Sequence, residues 1–181
     1  MGLEKESRKR QFGPQDLGIL DGQPPKGIRK IVELCSVAVR SPCSGLFVFN
    51  DYAGELFLST SEGIKYETSN LIGLPLTGSI ASFVRSENRL TRINDLREPP
   101  HDTSVEFLRF GIRAYLGAVV RGPLDEPIGI LAAMHKSAHY WTFREAKIVE
   151  DMAYLLSQQV MLKASFETLR IISDERKSTT N

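Results

Sequence analysis

The two most hydrophobic stretches of the chain, 114–121 and 127–135, are separated only by Gly122-Pro123-Leu124-Asp125-Glu126. Each has the length and composition of a buried β-strand. A parallel pair needs a crossover of a dozen or more residues, so this short link forces the two strands to pair antiparallel. A Rossmann-type βαβ unit is thereby excluded at this point. The stretches 44–50 and 55–61 flank Asp51-Tyr52-Ala53-Gly54, a turn-rich gap that predicts a second antiparallel hairpin.

Helices are expected around these strands. Ile28, Ile31, Val32 and Cys35 recur three and four apart, which predicts a helix over 24–40 that Ser41-Pro42 ends. A shorter helix is expected over 79–87, with Ile80, Phe83 and Val84 on one face, and another over 105–110. Residues 90–93 read as a short strand. Residues 62–78 and 95–103 read as loops, broken by Gly63, Gly73, Pro75, Gly78 and Pro99-Pro100.

The last element starts with Thr142-Phe143-Arg144-Glu145, a capping box. Its helical pattern runs to about residue 173, a length of roughly 48 Å at 1.5 Å per residue, whereas about 30 Å already crosses a small domain. The final turns must therefore overhang the body or pack elsewhere. Ile148, Met152, Leu155, Gln159, Leu162, Phe166 and Leu169 form a heptad seam. A second stripe, Val149, Ala153, Leu156 and Val160, stops where the body should end. The chain thus divides into a tail (1–13), one domain (14–162) and a helical extension for dimerisation or signalling (163–181).

Composition narrows the function classes. The 181 residues suit one domain, and 23 Lys plus Arg against 22 Asp plus Glu leave a net charge of +1. That balance provides no footprint for nucleic acid or an anionic membrane. Two cysteines are too few for a disulfide scaffold, and no signal-peptide layout opens the chain, so it reads as cytoplasmic. No nucleophile is paired with a base, and no glycine-rich loop precedes a helix as a phosphate cradle.

Several phrases, in order, resemble a GAF domain: Leu76-Thr-Gly-Ser-Ile-Ala-Ser-Phe-Val84, Leu90-Thr-Arg-Ile-Asn-Asp-Leu-Arg-Glu-Pro99, Gly111-Ile-Arg-Ala-Tyr-Leu-Gly117 and Ile128-Gly-Ile-Leu131. Trp141-Thr-Phe-Arg-Glu145, followed by Met152-Ala153, resembles the opening of the closing helix, with Trp141 where Phe is usual. The resemblance covers about residues 17 to 162. It implies an α+β fold, GAF-like and PAS-related: an antiparallel sheet with long terminal helices on one face, and loops and short helices on the other. It also implies a sensor with a small-molecule pocket, often dimeric.

The chain departs from the marked branches of that family. His135-Lys136 and Glu145-Ala146 replace the Asn-Lys and Asp-Glu of cyclic-nucleotide binders, which argues against a cyclic nucleotide. The stretch 101–110 has no cysteine to attach a bilin covalently. Cys35 and Cys43 do not match the clustered cysteines of the GAF-type methionine-sulfoxide reductases; as a redox pair they stand as an alternative to plain core residues. The ligand itself is left unidentified.

The candidate ligand residues are Phe83, Asp95, Phe110, Tyr115 and His135, taken with the resemblance. For each aromatic the competing role is core packing, and for Asp95 it is capping its loop. His101, His135 and His139 show no metal-ligand spacing, so no metal site is expected. Met152, Leu155, Leu162, Phe166 and Leu169 are the candidates for a dimer or signalling contact. The expected function is a sensor domain that passes a change in occupancy along a dimeric C-terminal helix, and no catalytic constellation is found. The alternatives are a thiol redox enzyme and a ligand-free assembly scaffold. Over residues 174–181 no kinase, cyclase or DNA-binding helix pair is expected, so the chain reads as either a free-standing regulator or a fragment of a larger signalling protein.

Overall fold

The computed structural model describes residues 24–51, 53–64, 73–98, 107–108 and 110–178. The tail over 1–13, His101, Pro99-Pro100 and half of the expected helix at 105–110 lie outside the described residues.

Helix α1 (Lys26–Ala38) is followed by the hairpin β1 (Cys43–Asn50) and β2 (Glu55–Glu62). A short strand β3 (Gly73–Pro75) lies in the stretch read as a loop; it pairs antiparallel with the start of β2. Helix α2 (Ile80–Glu87) comes next, its first turn capped by the Ser79 hydroxyl, which accepts from the Ser82 amide. Then come β4 (Thr91–Ile93), the pair β5 (Ala114–Arg121) and β6 (Pro127–His135), and the closing helix α3 (Phe143–Ser178). The six strands form one antiparallel sheet in the order β3-β2-β1-β6-β5-β4.

Alternation along the strands sends successive side chains to opposite faces. One face, with Leu46, Val48, Leu116, Ala118, Val120, Leu131 and Ala133, is buried under α1 and α3. The other carries Phe47, Phe49, Tyr115, Ile130, Ala132 and Met134, and α2 packs there through Ile80, Ala81 and Val84. This is the arrangement the resemblance implied.

Across the second face Gly45, Ala132 and Gly117 stand side by side on β1, β6 and β5. They make a shallow trough, because none has a side chain larger than a methyl. The rings of Phe47 and Tyr115 occupy that space: a Cβ on Gly117 would stand 2.6 Å from a Tyr115 ring carbon, and one on Gly45 would stand 3.2 Å from Phe47. Phe107 meets both rings edge-on, at centroid distances of 5.5 and 5.4 Å.

The capping box is present as expected. The Thr142 hydroxyl accepts from the Glu145 amide at 3.2 Å, and Glu145 Oε2 accepts from the Thr142 amide at 2.7 Å. From there α3 runs 36 residues, about 54 Å. Its buried stripe is Ala146, Val149, Ala153, Leu156, Val160 and Ala164, about one turn longer at each end than the sequence pattern suggests. Beyond Ala164 no side chain described on α3 is buried.

Candidate functional site

The structure divides the five candidate ligand residues instead of gathering them. Tyr115 is fully buried on the loop-covered face, and Phe110 packs against the same cluster. Burial without charge compensation pushes the Tyr115 hydroxyl up, so it stays neutral at physiological pH. Phe83 is 43% exposed, because α2 turns Ile80, Ala81 and Val84 toward the sheet and leaves Phe83 at the rim.

His135 lies apart from Tyr115 as well. It follows Leu131 and Ala133 in phase along β6, so it points to the helix-covered face, opposite Tyr115. There its ring stacks on His139 at 4.1 Å with the planes parallel, and the Trp141 indole meets both rings edge-on. Trp141 is fixed by its own bonds, donating from Nε1 to the Ile93 carbonyl at 3.1 Å and from its amide to Asn94 Oδ1. His139 Nε2 lies 3.0 Å from Glu145 Oε1, so one carboxylate both caps α3 and holds the imidazole pair. His135 Nε2 is buried with no hydrogen-bond partner. Burial, and then the neighbouring His139, push His135 below its ordinary value of 6.5, against an opposing pull from Glu145. Burial pushes Glu145 up, but the hydrogen bonds from Thr142 and His139 outweigh it and hold the carboxyl low.

Asp95 takes the loop-capping role. Its carboxylate pairs with Arg113 and accepts from the Arg97 amide at 3.1 Å, and these hydrogen bonds hold it below the usual carboxylate range. The Leu96 amide donates to the Arg113 carbonyl, so the pair pins this loop to the start of β5.

The two cysteines also fall on opposite sides of the sheet. Cys35 belongs to the helix-covered cluster and Cys43 to the loop-covered one, and both are fully buried. Burial pushes the Cys35 thiol up to about 12 and raises Cys43 as well, with Lys136 pulling Cys43 the other way. Neither is a ready thiolate, and the sheet keeps them from acting as a pair. Among the described residues no group of three or more His, Cys, Asp or Glu is placed to hold a metal.

The signalling candidates separate along α3. Met152 is half-buried, whereas Leu155, Leu162, Phe166 and Leu169 are exposed, Leu162 by 51% and Leu169 by 63%. Ile172 extends the same line at 42%. A row of large apolar side chains therefore lies open along the outer side of the helix.

No family model and no curated protein matches this sequence. Solved structures do. The GAF domain of a phosphoenolpyruvate-protein phosphotransferase from Coxiella burnetii superposes with a TM-score of 0.67 at 17% identity, covering 82% of this chain and 90% of that one. The GAF domain of a two-component sensor histidine kinase from Bacillus halodurans has a TM-score of 0.63 at 10% identity, covering 77% and 95%. The free methionine-R-sulfoxide reductase of Neisseria meningitidis, seen with its substrate, has a TM-score of 0.59 at 14% identity, covering 76% and 78%. At such identities the likeness establishes the fold, and that fold is the GAF fold. Among the described residues no helix is long and apolar enough to cross a membrane.

Proposed function

We propose that the chain is a cytoplasmic GAF-type regulatory domain that works as a homodimer and relays its state through α3. The observation that carries this reading is the exposed line Leu155, Leu162, Phe166, Leu169 and Ile172 on a helix whose buried stripe ends at Ala164. Large apolar side chains repeated at helical spacing in water favour a partner, and an identical helix presents the matching surface. The first half of α3 packs on β5 and β6, so a shift in the sheet is delivered to the free half without an intermediate element. A small molecule on the loop-covered face is the input in this reading, seated over the trough of Gly45, Ala132 and Gly117 when Phe47 and Tyr115 give way.

A second reading is favoured by those same rings. Phe47, Phe107 and Tyr115 fill the face where the ligand would sit, which suits an assembly module without a ligand. The thiol-redox alternative has less support, since Cys35 and Cys43 are buried on opposite faces.

Cross-linking tests the dimer contact. With Leu169→Cys, mild oxidation is expected to join two chains through the seam, while Arg170→Cys, one position off it, stays uncoupled. The buried native thiols remain silent in both. Equal cross-linking at 169 and 170, or none at 169, would remove the helix from the account.

A further inference from the structure

The stacked imidazoles of His135 and His139 stand apart from both the loop-covered face and the open seam of α3. His135 is fixed on β6, where it pairs with Ala114 and its carbonyl accepts from the Arg113 amide at 2.7 Å. His139 sits on the connection 136–142, which forms neither helix nor strand. Asn94, just after β4, ties that connection down. Its carbonyl accepts from the His139 amide at 2.9 Å, and its Oδ1 accepts from the Trp141 amide at 3.3 Å.

Little stands ready to balance charge on the two rings. Glu145 Oε1 lies 3.0 Å from His139 Nε2, while Oε2 is committed to the Thr142 amide and hydroxyl. Trp141, edge-on to both rings, carries no charge. Lys136, the next residue along, acts on Cys43 of the loop-covered cluster, and the Arg113 guanidinium is paired with Asp95. Among the described residues, then, one carboxylate is set against two imidazoles. The His139 side chain is 29% exposed and that of Glu145 16%, so solvent protons reach the pair while water and salt screen it weakly.

Glu145 matches one proton on the pair. A second proton places two like charges 4.1 Å apart with no further described anion beside them. Sites coupled in this way take up their protons in separate steps. Burial and the neighbouring His139 already hold His135 below its ordinary value. Because the β6 ladder fixes His135, the repulsion falls on His139 and its irregular connection. We propose that the stacked pair is a pH-sensitive clamp on the entry to α3, closed with one proton or none and opened by the second. Opening draws His139 away from Glu145 and pulls on the Asn94 bonds, which frees the first turn of α3 from the end of the sheet. The clamp requires neither a small molecule on the loop-covered face nor a dimer.

The test follows histidine ring signals and backbone amides of the isotope-labelled full chain by NMR, from about pH 8 to about pH 5. The pair is expected to titrate in two separate steps, with the amides of 139–146 shifting mainly in the second. Exchange protection of the Glu145 and Ala146 amides, which donate to Thr142, should be lost in that step before the chain unfolds. His139→Phe keeps an aromatic ring against His135 and removes its charge. It should erase the step at 139–146 and let His135 take its proton at higher pH. Glu145→Gln, which keeps the capping geometry, should move the first step to lower pH. A single step in which both rings change together would overturn the proposal, whether or not either variant folds. So would amides over 139–146 that stay unchanged through the second step, or a His135 titration that His139→Phe leaves in place.

Discussion

Helix α3 is one continuous rod that behaves as two. Up to Ala164 it presents a stripe of small and medium side chains, Ala146, Val149, Ala153, Leu156, Val160 and Ala164, which the sheet and α1 bury. After Ala164 the apolar residues are larger, and of these Phe166, Leu169 and Ile172 are exposed while Ile171 is half-buried. Small residues let a helix sit close on a flat sheet, whereas large ones at heptad spacing suit knobs-into-holes packing against another helix. The contrast separates a half that belongs to the body from a half whose large apolar side chains stand open.

The sharpest way to break that contrast uses adjacent residues. Leu156→Ala is expected to cost about 2–5 kcal/mol, because it opens a cavity in a fully buried layer. Leu155→Ala, one position away on the open side, should change the stability of dissociated chains by less than about 0.5 kcal/mol. Urea unfolding followed by Trp141, the only tryptophan, checks both. Similar losses at the two positions would mean that the seam packs on its own body.

The two faces of the sheet supply a smaller test. Gly117→Ala should destabilise by about 1–3 kcal/mol, since the new methyl collides with the Tyr115 ring. Suppression of that loss by Tyr115→Leu would confirm that the ring lies in the trough; an unchanged loss would not fit.

The smallest expected effect is a pH dependence at the start of α3. The folded pKa of His135 lies below its ordinary value of 6.5, so the unfolded chain binds more protons there as pH falls. The stability contributed by neutral His135 is present above about 6.5 and is lost as pH drops below it. Glu145, held below its ordinary 4.5, adds a second loss at lower pH, once carboxylates protonate. Thermal unfolding from pH 7 to 5 should show the first decline, and His135→Phe should flatten it. A stability that rises on acidification would contradict the unpartnered Nε2.

Much of this fold is legible in the sequence, where signals are local. The five-residue link between β5 and β6, the capping box at Thr142 and the double stripe on α3 each rest on neighbours within one turn or one hairpin. The site residues are less legible. The stretch 128–134 is apolar on both faces, so no polar alternation marks which way His135 points. Phe83 shares a short helix with Ile80, Ala81 and Val84, and only the docked orientation shows which of them faces inward. The bond of Asp95 to Arg113 joins residues 18 positions apart, beyond any local pattern. The stacked His135–His139 pair joins residues only four apart, but irregular backbone between β6 and α3 sets its geometry, so no regular period marks it.

The central claim is that the open half of α3 joins two copies of the chain. Light scattering of the full chain beside the Leu162→Asp, Phe166→Asp double variant tests it most directly, with Trp141 fluorescence reporting that the body remains folded. The account predicts a dimer for the parent and a folded monomer for the variant. A parent that is monomeric throughout the concentration range, or a variant that stays dimeric, would contradict it.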